Sequence, residues 1–363
     1  MEPFAFLIHP IDVRRDVARK YPLLGLLPER VLEWLLTHRE PLAVAEMRGI
    51  RSVTGATTHG WLIGCPLSPR QFLELPLEFV YGRMEECGRI AEALGAKILG
   101  LGAFTSVVGD GGITLARRLS IAVTTGNSYT VATAIEGTRE VARLMGIELA
   151  TASAAVVGAS GSIGATCAEL LARDVARVAL IGRSQTRLQT VFERLQKLGK
   201  AAVTLHTNVA EGLREADVVV TVSSAAEAIV EPEFLKRGAV VCDVARPRDV
   251  SIRVARERND VLVIEGGVVQ VPGAMECLQI GTNKPFNFGF PPKTAYACMS
   301  ETMALALEGR YESFTLGKEV HVKQVDEITE ICTRHGFRLA GFRSFERAVS
   351  EDEIERIRKR AGR

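Results

Sequence analysis

The sequence predicts an α/β fold with two domains, and two observations lead to that prediction. The chain has 363 residues, and at roughly 150 residues per domain this length suits two domains. From Thr151 onward, short strands and helices alternate, which is the pattern of a parallel sheet with crossover helices. We therefore expect a mixed α/β substrate-binding domain over residues 1–150 and a doubly wound parallel sheet, followed by further helices, over residues 151–363.

Composition and charge exclude several classes of protein. With 47% hydrophobic and 24% charged residues, the chain has the composition of a globular protein and not of a disordered one. The 45 Lys and Arg residues against 43 Asp and Glu leave a formal net charge of +2. That charge is too small for the broad positive field of a nucleic-acid-binding protein.

The cysteines and the start of the chain indicate the compartment. The seven cysteines form no C-x-x-C pair, and their odd number does not suit a secreted disulfide framework. No basic stretch precedes an apolar run at the N-terminus, and no run reaches the roughly 18 apolar residues of a membrane span. We expect a cytoplasmic protein without a membrane span, and the sequence leaves its oligomeric state open.

In the N-terminal half, apolar spacing and turn residues predict helices and one short strand. The predicted elements are a helix over Pro28–Thr37, a helical stretch over Leu73–Leu94 broken near Pro76 and Gly82, a buried strand over Ile98–Phe104 and a helix over Tyr129–Leu144. The last helix follows a polar turn in which Thr125 and Asn127 can accept backbone hydrogen bonds as helix caps.

In the C-terminal half, six short runs rich in β-branched residues predict the strands of one doubly wound sheet. They are Ser153–Val157, Arg177–Ile181, Ala202–Leu205, Asp217–Val222, Ala239–Asp243 and Val261–Glu265. Helices are predicted over Ile163–Ala172, Thr186–Leu198, Pro291–Glu308 and Val325–His335, with a solvated helix or frayed tail from Ser350.

A glycine-rich turn between the first of these strands and its helix predicts a dinucleotide site. It reads Gly158-Ala159-Ser160-Gly161-Ser162-Ile163-Gly164, one residue longer than the usual fingerprint. The first glycine permits a tight turn, the second lets the pyrophosphate approach the backbone, and the third lets helix and strand pack closely. The domain is therefore predicted to be Rossmann-like, with Gly158, Ser160, Gly161, Ser162 and Ile163 at the cofactor. A purely structural glycine turn is the alternative.

The end of the second strand favours NADP(H) over NAD(H). NAD enzymes usually carry Asp or Glu there to bind the ribose hydroxyls, but this chain has Gly182-Arg183-Ser184. A guanidinium and a hydroxyl can bind a 2′-phosphate, and Arg187 one helical turn later can assist. Arg183 and Ser184 are therefore candidate NADPH-binding residues, and an ordinary surface arginine is the alternative.

Two common partners of a nicotinamide cofactor are missing from the sequence. The Tyr-x-x-x-Lys pair of short-chain dehydrogenases is absent, because Thr133 and Ser300 stand four residues after Tyr129 and Tyr296. The His, Cys, Asp and Glu residues do not show the spacing of metal ligands, so we expect no metal site.

Cys298 is the candidate nucleophile. It lies in the opening turns of the expected helix over Pro291–Glu308, a position in which the helix dipole lowers the pKa of a thiol. A thiolate there can attack an activated acyl group. The alternative is that Cys298 packs as a small hydrophobic residue beside Ala295, Met299 and Thr302.

Together these features resemble the long-chain acyl-[acyl-carrier-protein] reductases over most of the chain. The matching segments are Gly102–Val107, Thr124–Thr130, Val156–Gly164, Ile264–Val269, Ala295–Cys298 with Glu301, Leu307–Gly309 and Arg334–Phe337. The sequence departs from the family pattern at Gln270–Met275 and in its charged C-terminal extension, which leaves the acyl length and the donor open.

The resemblance implies a two-step reaction. Cys298 would take a fatty acyl group from acyl carrier protein or acyl-CoA as a thioester, and NADPH would reduce it to a fatty aldehyde. The N-terminal domain would bind the acyl chain and the carrier.

Further residues are assigned only by type or by position. Arg14, Arg15, Arg19 and Lys20 would face the acidic surface of a carrier. Tyr129, Lys293 and Tyr296 are candidate proton donors, and Thr125 and Asn127 are candidates for lining the site.

Two other functions remain compatible with the sequence. One is a dehydrogenase of the shikimate-dehydrogenase type, which oxidises a small alcohol without a covalent step. The other is a non-catalytic NADP(H)-sensing protein that binds a partner.

Overall fold

The chain forms two compact units in a computed structural model, which describes residues 2–20, 22–225, 227–245, 247–286 and 291–363. The first unit comprises Met1–Asn127, Gln270–Lys318 and Glu327–Arg338. The second comprises Ser128–Val269, Glu319–Asp326 and Leu339–Arg363. The segment with Cys298 therefore folds in the first unit, and not with the nucleotide-binding sheet as a single boundary after residue 150 predicts.

The helices and strands follow in chain order. The strands are β1 (Phe4–Ile8), β2 (Leu42–Arg51), β3 (Thr57–Gly64), β4 (Ile98–Gly100), β5 (Ala122–Thr124), β6 (Ser153–Val157), β7 (Arg177–Ile181), β8 (Ala202–His206), β9 (Val218–Thr221), β10 (Val240–Asp243), β11 (Leu262–Glu265), β12 (Val268–Gln270), β13 (Gly273–Gln279), β14 (Thr294–Tyr296), β15 (Arg338–Leu339), β16 (Phe342–Ser344) and β17 (Arg347–Val349). The α-helices are α1 (Val13–Lys20), α2 (Glu29–Thr37), α3 (Pro69–Glu74), α4 (Leu77–Ala93), α5 (Phe104–Val107), α6 (Ile113–Arg118), α7 (Asn127–Leu144), α8 (Ser162–Leu171), α9 (Gln185–Leu198), α10 (Val209–Leu213), α11 (Ile252–Glu257), α12 (Ala297–Glu308), α13 (Val322–His335) and α14 (Glu351–Ala361).

The first unit is built on a mixed sheet in the order β13-β2-β3-β1-β4-β5. β1 is parallel to β3 and β4, and β4 is parallel to β5, so these four strands end at the same edge. β2 is antiparallel to β3, and β13 returns from far along the chain to pair antiparallel with β2. This pairing explains why the chain after residue 269 belongs to the first unit.

The core of the first unit lies between this sheet and its helices. Its buried members include Ala5, Leu7, Ile63, Phe72, Val80, Met84, Leu99, Leu101, Phe104, Leu115 and Val123. Gly60 of β3 pairs with Phe4 of β1, and a Cβ at Gly60 would lie 2.5 Å from the Phe4 carbonyl oxygen. Glycine is therefore required where β3 passes this close to β1.

The second unit contains the doubly wound sheet, in the order β11-β10-β9-β6-β7-β8 with all strands parallel. The strand order reverses at β6, which is the arrangement of a Rossmann-like fold. Its strands begin and end within a residue or so of the six predicted from the sequence, which confirms the predicted fold class. Ala155, Val157, Val219, Val241 and Val263 contribute to its buried core.

Three expected elements differ from the structure. The predicted helix over Pro291–Glu308 is instead the short strand β14 followed by α12, and Lys293, with a φ of +63°, interrupts any helix before it. The helical stretch over Leu73–Leu94 breaks at Pro76 but continues through Gly82. The strand predicted over Ile98–Phe104 ends at Gly100, because Ala103 has a φ of +48°.

Within the described ranges, no helix has both the length and the apolar character that crossing a bilayer requires.

Candidate functional site

The glycine turn of the second unit adopts a conformation that its sequence requires. Gly158 has a φ of +82°, and its N–H donates to the Ile181 carbonyl at 2.9 Å. A Cβ at this position would lie 2.8 Å from the carbonyl oxygen of Val222. At Gly164, a Cβ would lie 2.3 Å from the Gly158 oxygen, so α8 packs directly on the turn. Side chains at either position would push the helix away from the strand.

The start of α8 suits a pyrophosphate. Gly161 is its exposed N-cap residue, and no side chain in the described structure caps it. The N–H groups of the first turn, at Ser162 and Ile163, therefore remain for an anion, and the helix dipole favours negative charge there. Gly161, Ser162 and Ile163 are all at least partly accessible to solvent. These residues fit a dinucleotide cofactor.

The loop after β7 lies beside the glycine turn. A Cβ at Gly182 would lie 3.3 Å from the Ser160 hydroxyl oxygen, which places these two loops in contact. Arg183 is exposed, and Ser184 is the N-cap of α9, where its hydroxyl accepts the Arg187 N–H at 3.4 Å. The structure thus brings Ser160 close to the loop that carries Arg183 and Ser184.

A pair of buried carboxyl groups lies at the ends of β9 and β10. Asp243 accepts the Thr221 hydroxyl at 2.9 Å. Asp249 accepts both the N–H and the hydroxyl of Ser223, at 2.8 and 2.5 Å. Burial raises the pKa of Asp249 to about 6, and the neighbouring Asp243 adds to that increase. Since Ser223 also borders Gly158, these groups fix a second wall of the nucleotide turn.

This pair was not predicted from the sequence. The signal was present, because Thr221, Asp243 and Ser223 are polar residues at or just after the carboxyl ends of adjacent parallel strands. That edge is where doubly wound sheets bind ligands.

In the first unit, Cys298 lies at the carboxyl ends of β4 and β5. It is the second residue of α12 and is half-buried. A Cβ on Gly126, just after β5, would lie 2.3 Å from Cys298 Cα and 2.4 Å from its Cβ. A Cβ on Gly102, just after β4, would lie 3.7 Å from the Cys298 sulfur. The thiol is therefore held against two glycine-containing strand ends and is not sealed in the core.

A hydrogen-bonded network surrounds the same strand end. Glu301, one helical turn after Cys298, is fully buried, and its Oε1 accepts the hydroxyls of Thr124 at 2.5 Å and Thr315 at 2.9 Å. The Thr315 N–H donates to the Thr124 hydroxyl oxygen at 3.1 Å. The Thr125 hydroxyl donates to the Thr315 carbonyl at 3.1 Å, and Asn127 is buried as the first residue of α7.

His9 follows β1 at the same edge of the sheet and was not among the predicted site residues. Its Nε2 accepts the Phe104 N–H at 3.3 Å, so Nδ1 carries the proton and donates to the Pro10 carbonyl at 3.0 Å. Burial lowers the pKa of His9 to about 4, which keeps the ring neutral near pH 7. No sequence pattern points to this histidine, because only the parallel pairing of β1 with β4 places it beside Phe104.

The three predicted proton donors lie in different settings. Tyr129 is buried in the first turn of α7, and Lys293 is exposed ahead of α12. Tyr296 is half-buried at the N-cap of α12, two residues before Cys298. Tyr296 is therefore the candidate that shares a helix end with the thiol.

The basic residues predicted to meet a carrier are on α1. Arg14 and Arg15 are exposed, and the Arg14 guanidinium donates to the Leu27 carbonyl at 3.5 Å. The side chains of Arg19 and Lys20 lie outside the described part of the structure.

Two segments of the family resemblance meet at the other end of α12. His335 is buried, with one ring nitrogen 2.6 Å from Glu308 Oε2 and the other 2.8 Å from the Ser52 hydroxyl. Glu308 is ten residues after Cys298, which corresponds to about 15 Å along a helix. These residues hold the distal end of α12 and lie away from the thiol.

No group of three or more His, Cys, Asp or Glu residues in the described parts of the chain is arranged to hold a metal ion.

Comparison with known proteins supports an oxidoreductase. Residues 140–265 match the model of the shikimate/quinate 5-dehydrogenase family. This segment contains the glycine turn and β6 to β11, and it indicates an oxidoreductase with a nicotinamide cofactor such as NADPH.

Two curated relatives match along most of the chain. The chain is 27% identical to aminotransferase PigE of Serratia sp. over 98% of its own length, but it spans only 42% of that protein. It is 28% identical to the long-chain acyl-[acyl-carrier-protein] reductase of Synechococcus elongatus, over 90% of this chain and 95% of that one. Among solved structures, the dipicolinate synthase of Bacillus halodurans is 16% identical, with 52% of this chain and 61% of that chain covered and a TM-score of 0.33.

Proposed function

We propose that this protein is an NADPH-dependent reductase that converts fatty acyl thioesters to fatty aldehydes through an acyl group bound to Cys298. The observation that carries the proposal is the position of Cys298, half-buried at the start of α12 and against the ends of β4 and β5. The likeness to a long-chain acyl-[acyl-carrier-protein] reductase over nearly the whole of both chains supports the same reaction.

The residues of the second unit would hold the cofactor. The first-turn N–H groups of α8, at Ser162 and Ile163, would bind the pyrophosphate, with Gly158 and Gly161 leaving room for it. Arg183 and Ser184, beside Ser160, would bind the 2′-phosphate that distinguishes NADPH from NADH. When bound, the cofactor supplies a hydride.

Cys298 performs the covalent part of the reaction. Its sulfur attacks the carbonyl carbon of the acyl thioester, a new C–S bond forms, and the donor's C–S bond breaks, so that the donor leaves as a free thiol with one proton. After hydride reaches the acyl carbon, the bond to Cys298 breaks and the aldehyde leaves. In sum, one acyl thioester, one NADPH and one proton give one aldehyde, one thiol and NADP⁺.

The polar groups around Cys298 suit the neutral stages of this reaction. His9 is uncharged, and the Thr125 hydroxyl is held by the Thr315 carbonyl. The acyl donor is acyl carrier protein or acyl-CoA, and the exposed Arg14 and Arg15 of α1 suit the negative charge of either donor.

A second candidate function is a dehydrogenase of the shikimate-dehydrogenase type, acting on a small alcohol without a covalent step. The match of residues 140–265 to that family favours it. The two candidates differ in their need for Cys298.

Steady-state kinetics with Cys298→Ser tests the proposal. We expect this variant to lose aldehyde formation from long-chain acyl-CoA and acyl carrier protein substrates and to retain NADPH binding. Cys277→Ser is the matched control, because Cys277 is also half-buried but burial raises the pKa of its thiol to about 12, so it remains protonated and unreactive. Full aldehyde formation by Cys298→Ser, or NADP⁺-dependent oxidation of shikimate or quinate by that variant, would select the second function.

A further inference from the structure

A carboxyl group is buried beneath the candidate nucleophile. Glu301 is fully shielded from solvent on α12, three residues after Cys298. Residues three apart on a helix share a face, so Glu301 lies on the side of α12 that carries Cys298. Burying a carboxyl group is costly unless hydrogen bonds compensate, so its retention here requires partners.

Two threonine hydroxyls supply those partners, and both donate to the same oxygen. Thr124 ends β5 and donates to Glu301 Oε1 at 2.5 Å. Thr315 donates to Oε1 at 2.9 Å. Because Thr124 also accepts the Thr315 N–H at 3.1 Å, its own proton is directed to the carboxyl group. Glu301 therefore joins β5, α12 and the segment at Thr315 through one acceptor atom.

This junction lies next to the contact that fixes Cys298. Gly126 follows Thr124 by two residues, and its Cα packs on the backbone of Cys298. Thr125 between them is held to Thr315 twice, by its N–H at 2.9 Å and its hydroxyl at 3.1 Å from the Thr315 carbonyl oxygen. If Glu301 lost its acceptor, the end of β5 and the first turn of α12 would lose their shared anchor.

We propose that Glu301 is a positioning residue for Cys298, whose carboxyl group holds the start of α12 against the end of β5 and so fixes the place of the thiol. The proposal rests on the proposed role of Cys298 as the nucleophile. It requires an acceptor oxygen at residue 301 and does not require a negative charge.

The test uses two substitutions of the same residue. Glu301→Gln keeps a carbonyl oxygen that can accept both threonine hydroxyls, whereas Glu301→Met keeps the approximate volume without an acceptor. Since misplacing a reacting group by about 1 Å can cost about 100-fold in rate, we expect Glu301→Met to lower kcat about 10- to 100-fold with a KM for the acyl donor within about twofold. We expect Glu301→Gln to stay within about threefold of the wild-type kcat.

A second pair of variants keeps the test decisive if Glu301→Met does not fold. Thr315→Val removes one of the two hydroxyl donors and is nearly isosteric, and we expect it to lower kcat about 3- to 10-fold with an unchanged KM. Thr133→Val is the matched control, because this buried hydroxyl donates only within α7, to the Tyr129 and Thr130 carbonyls, and we expect wild-type kinetics from it. Folded Glu301→Met or Thr315→Val with wild-type kcat would overturn the proposal.

Alkylation of Cys298 separates failure of this inference from failure of the proposed function. The rate of carbamidomethylation by iodoacetamide is measured at Cys298 by peptide mass spectrometry, with Cys277 as internal reference. We expect the rate at Cys298 to change in Glu301→Met and Thr315→Val and to stay near wild type in Glu301→Gln. An unchanged rate in both altered variants, with Cys298→Ser inactive, overturns only the positioning role. A changed rate with Cys298→Ser fully active supports the positioning role and overturns the proposed nucleophile.

Discussion

Gly126→Ala is the substitution that most sharply probes the packing around Cys298. Gly126 has a φ of +72°, where a side chain costs about 1–2 kcal/mol. The added methyl group would lie 2.3 Å from Cys298 Cα and 2.4 Å from its Cβ, atoms that cannot rotate away. Overpacking of this kind costs about 1–3 kcal/mol, so we expect the free energy of unfolding to fall by about 2–5 kcal/mol in total.

Gly95→Ala separates the two contributions. Gly95 has a φ of +88°, but nothing lies within 4 Å of a Cβ built there, so this variant measures the cost of the left-handed backbone alone. Urea denaturation of both variants should therefore give a loss that is larger by about 1–3 kcal/mol in Gly126→Ala.

Activity supplies the second measurement for this pair. We expect Gly126→Ala to lose at least about tenfold in the rate of aldehyde formation, because α12 must shift away from β5, while Gly95→Ala stays active. Equal stability losses in the two variants, together with full activity of Gly126→Ala, would refute the contact between Gly126 and Cys298.

Three further predictions concern the cofactor and the dependence of stability on pH. Arg183→Ala should raise the KM for NADPH about 10- to 100-fold and leave that for NADH nearly unchanged, since a hydrogen bond to a charged group contributes about 1.5–3 kcal/mol; equal losses with both cofactors in steady-state kinetics would contradict it. The pKa of Asp249 is about 6 in the folded protein against 3.8 ordinarily, so the folded state binds this proton more tightly and loses stability as pH rises from about 4 to 6; Asp249→Asn should remove up to about 3 kcal/mol of that loss, and urea midpoints that keep the wild-type pH dependence would refute it. The pKa of His9 is about 4 against 6.5 ordinarily, so its contribution to stability is complete above pH 6.5 and falls with pH toward 4, by up to about 3 kcal/mol; His9→Asn should flatten this slope in the same titration, and an unchanged slope would count against the buried neutral ring.

The sheet of the second unit was predictable because its signals are local. Each of β6, β9 and β10 is a short run of buried, mostly β-branched or small residues with both faces covered, as expected of central parallel strands. The glycine turn was equally visible, since backbone contacts at Gly158 and Gly164 exclude any side chain.

The sheet of the first unit was not predictable in the same way. β13 pairs with β2 although more than two hundred residues separate them in the chain, and its polar, partly exposed sequence shows no sign of this partner. Local patterning also placed the start of the Cys298 helix too early, because the left-handed Lys293 was not foreseen.

For the candidate site, sequence patterns pointed to single residues but not to their partners. Cys298 and Arg183 were identified from residue type and position. His9 and Asp249 were missed, because their roles depend on neighbouring strand ends that only the folded sheets bring together.

The most direct measurement of the central claim is intact-mass analysis of the protein after incubation with a long-chain acyl-CoA in the absence of NADPH. The account predicts one added acyl group per chain, mapped by proteolysis to Cys298 and released as aldehyde when NADPH is added. Aldehyde production at an undiminished rate with no such adduct, or with the acyl group on another cysteine, would contradict it.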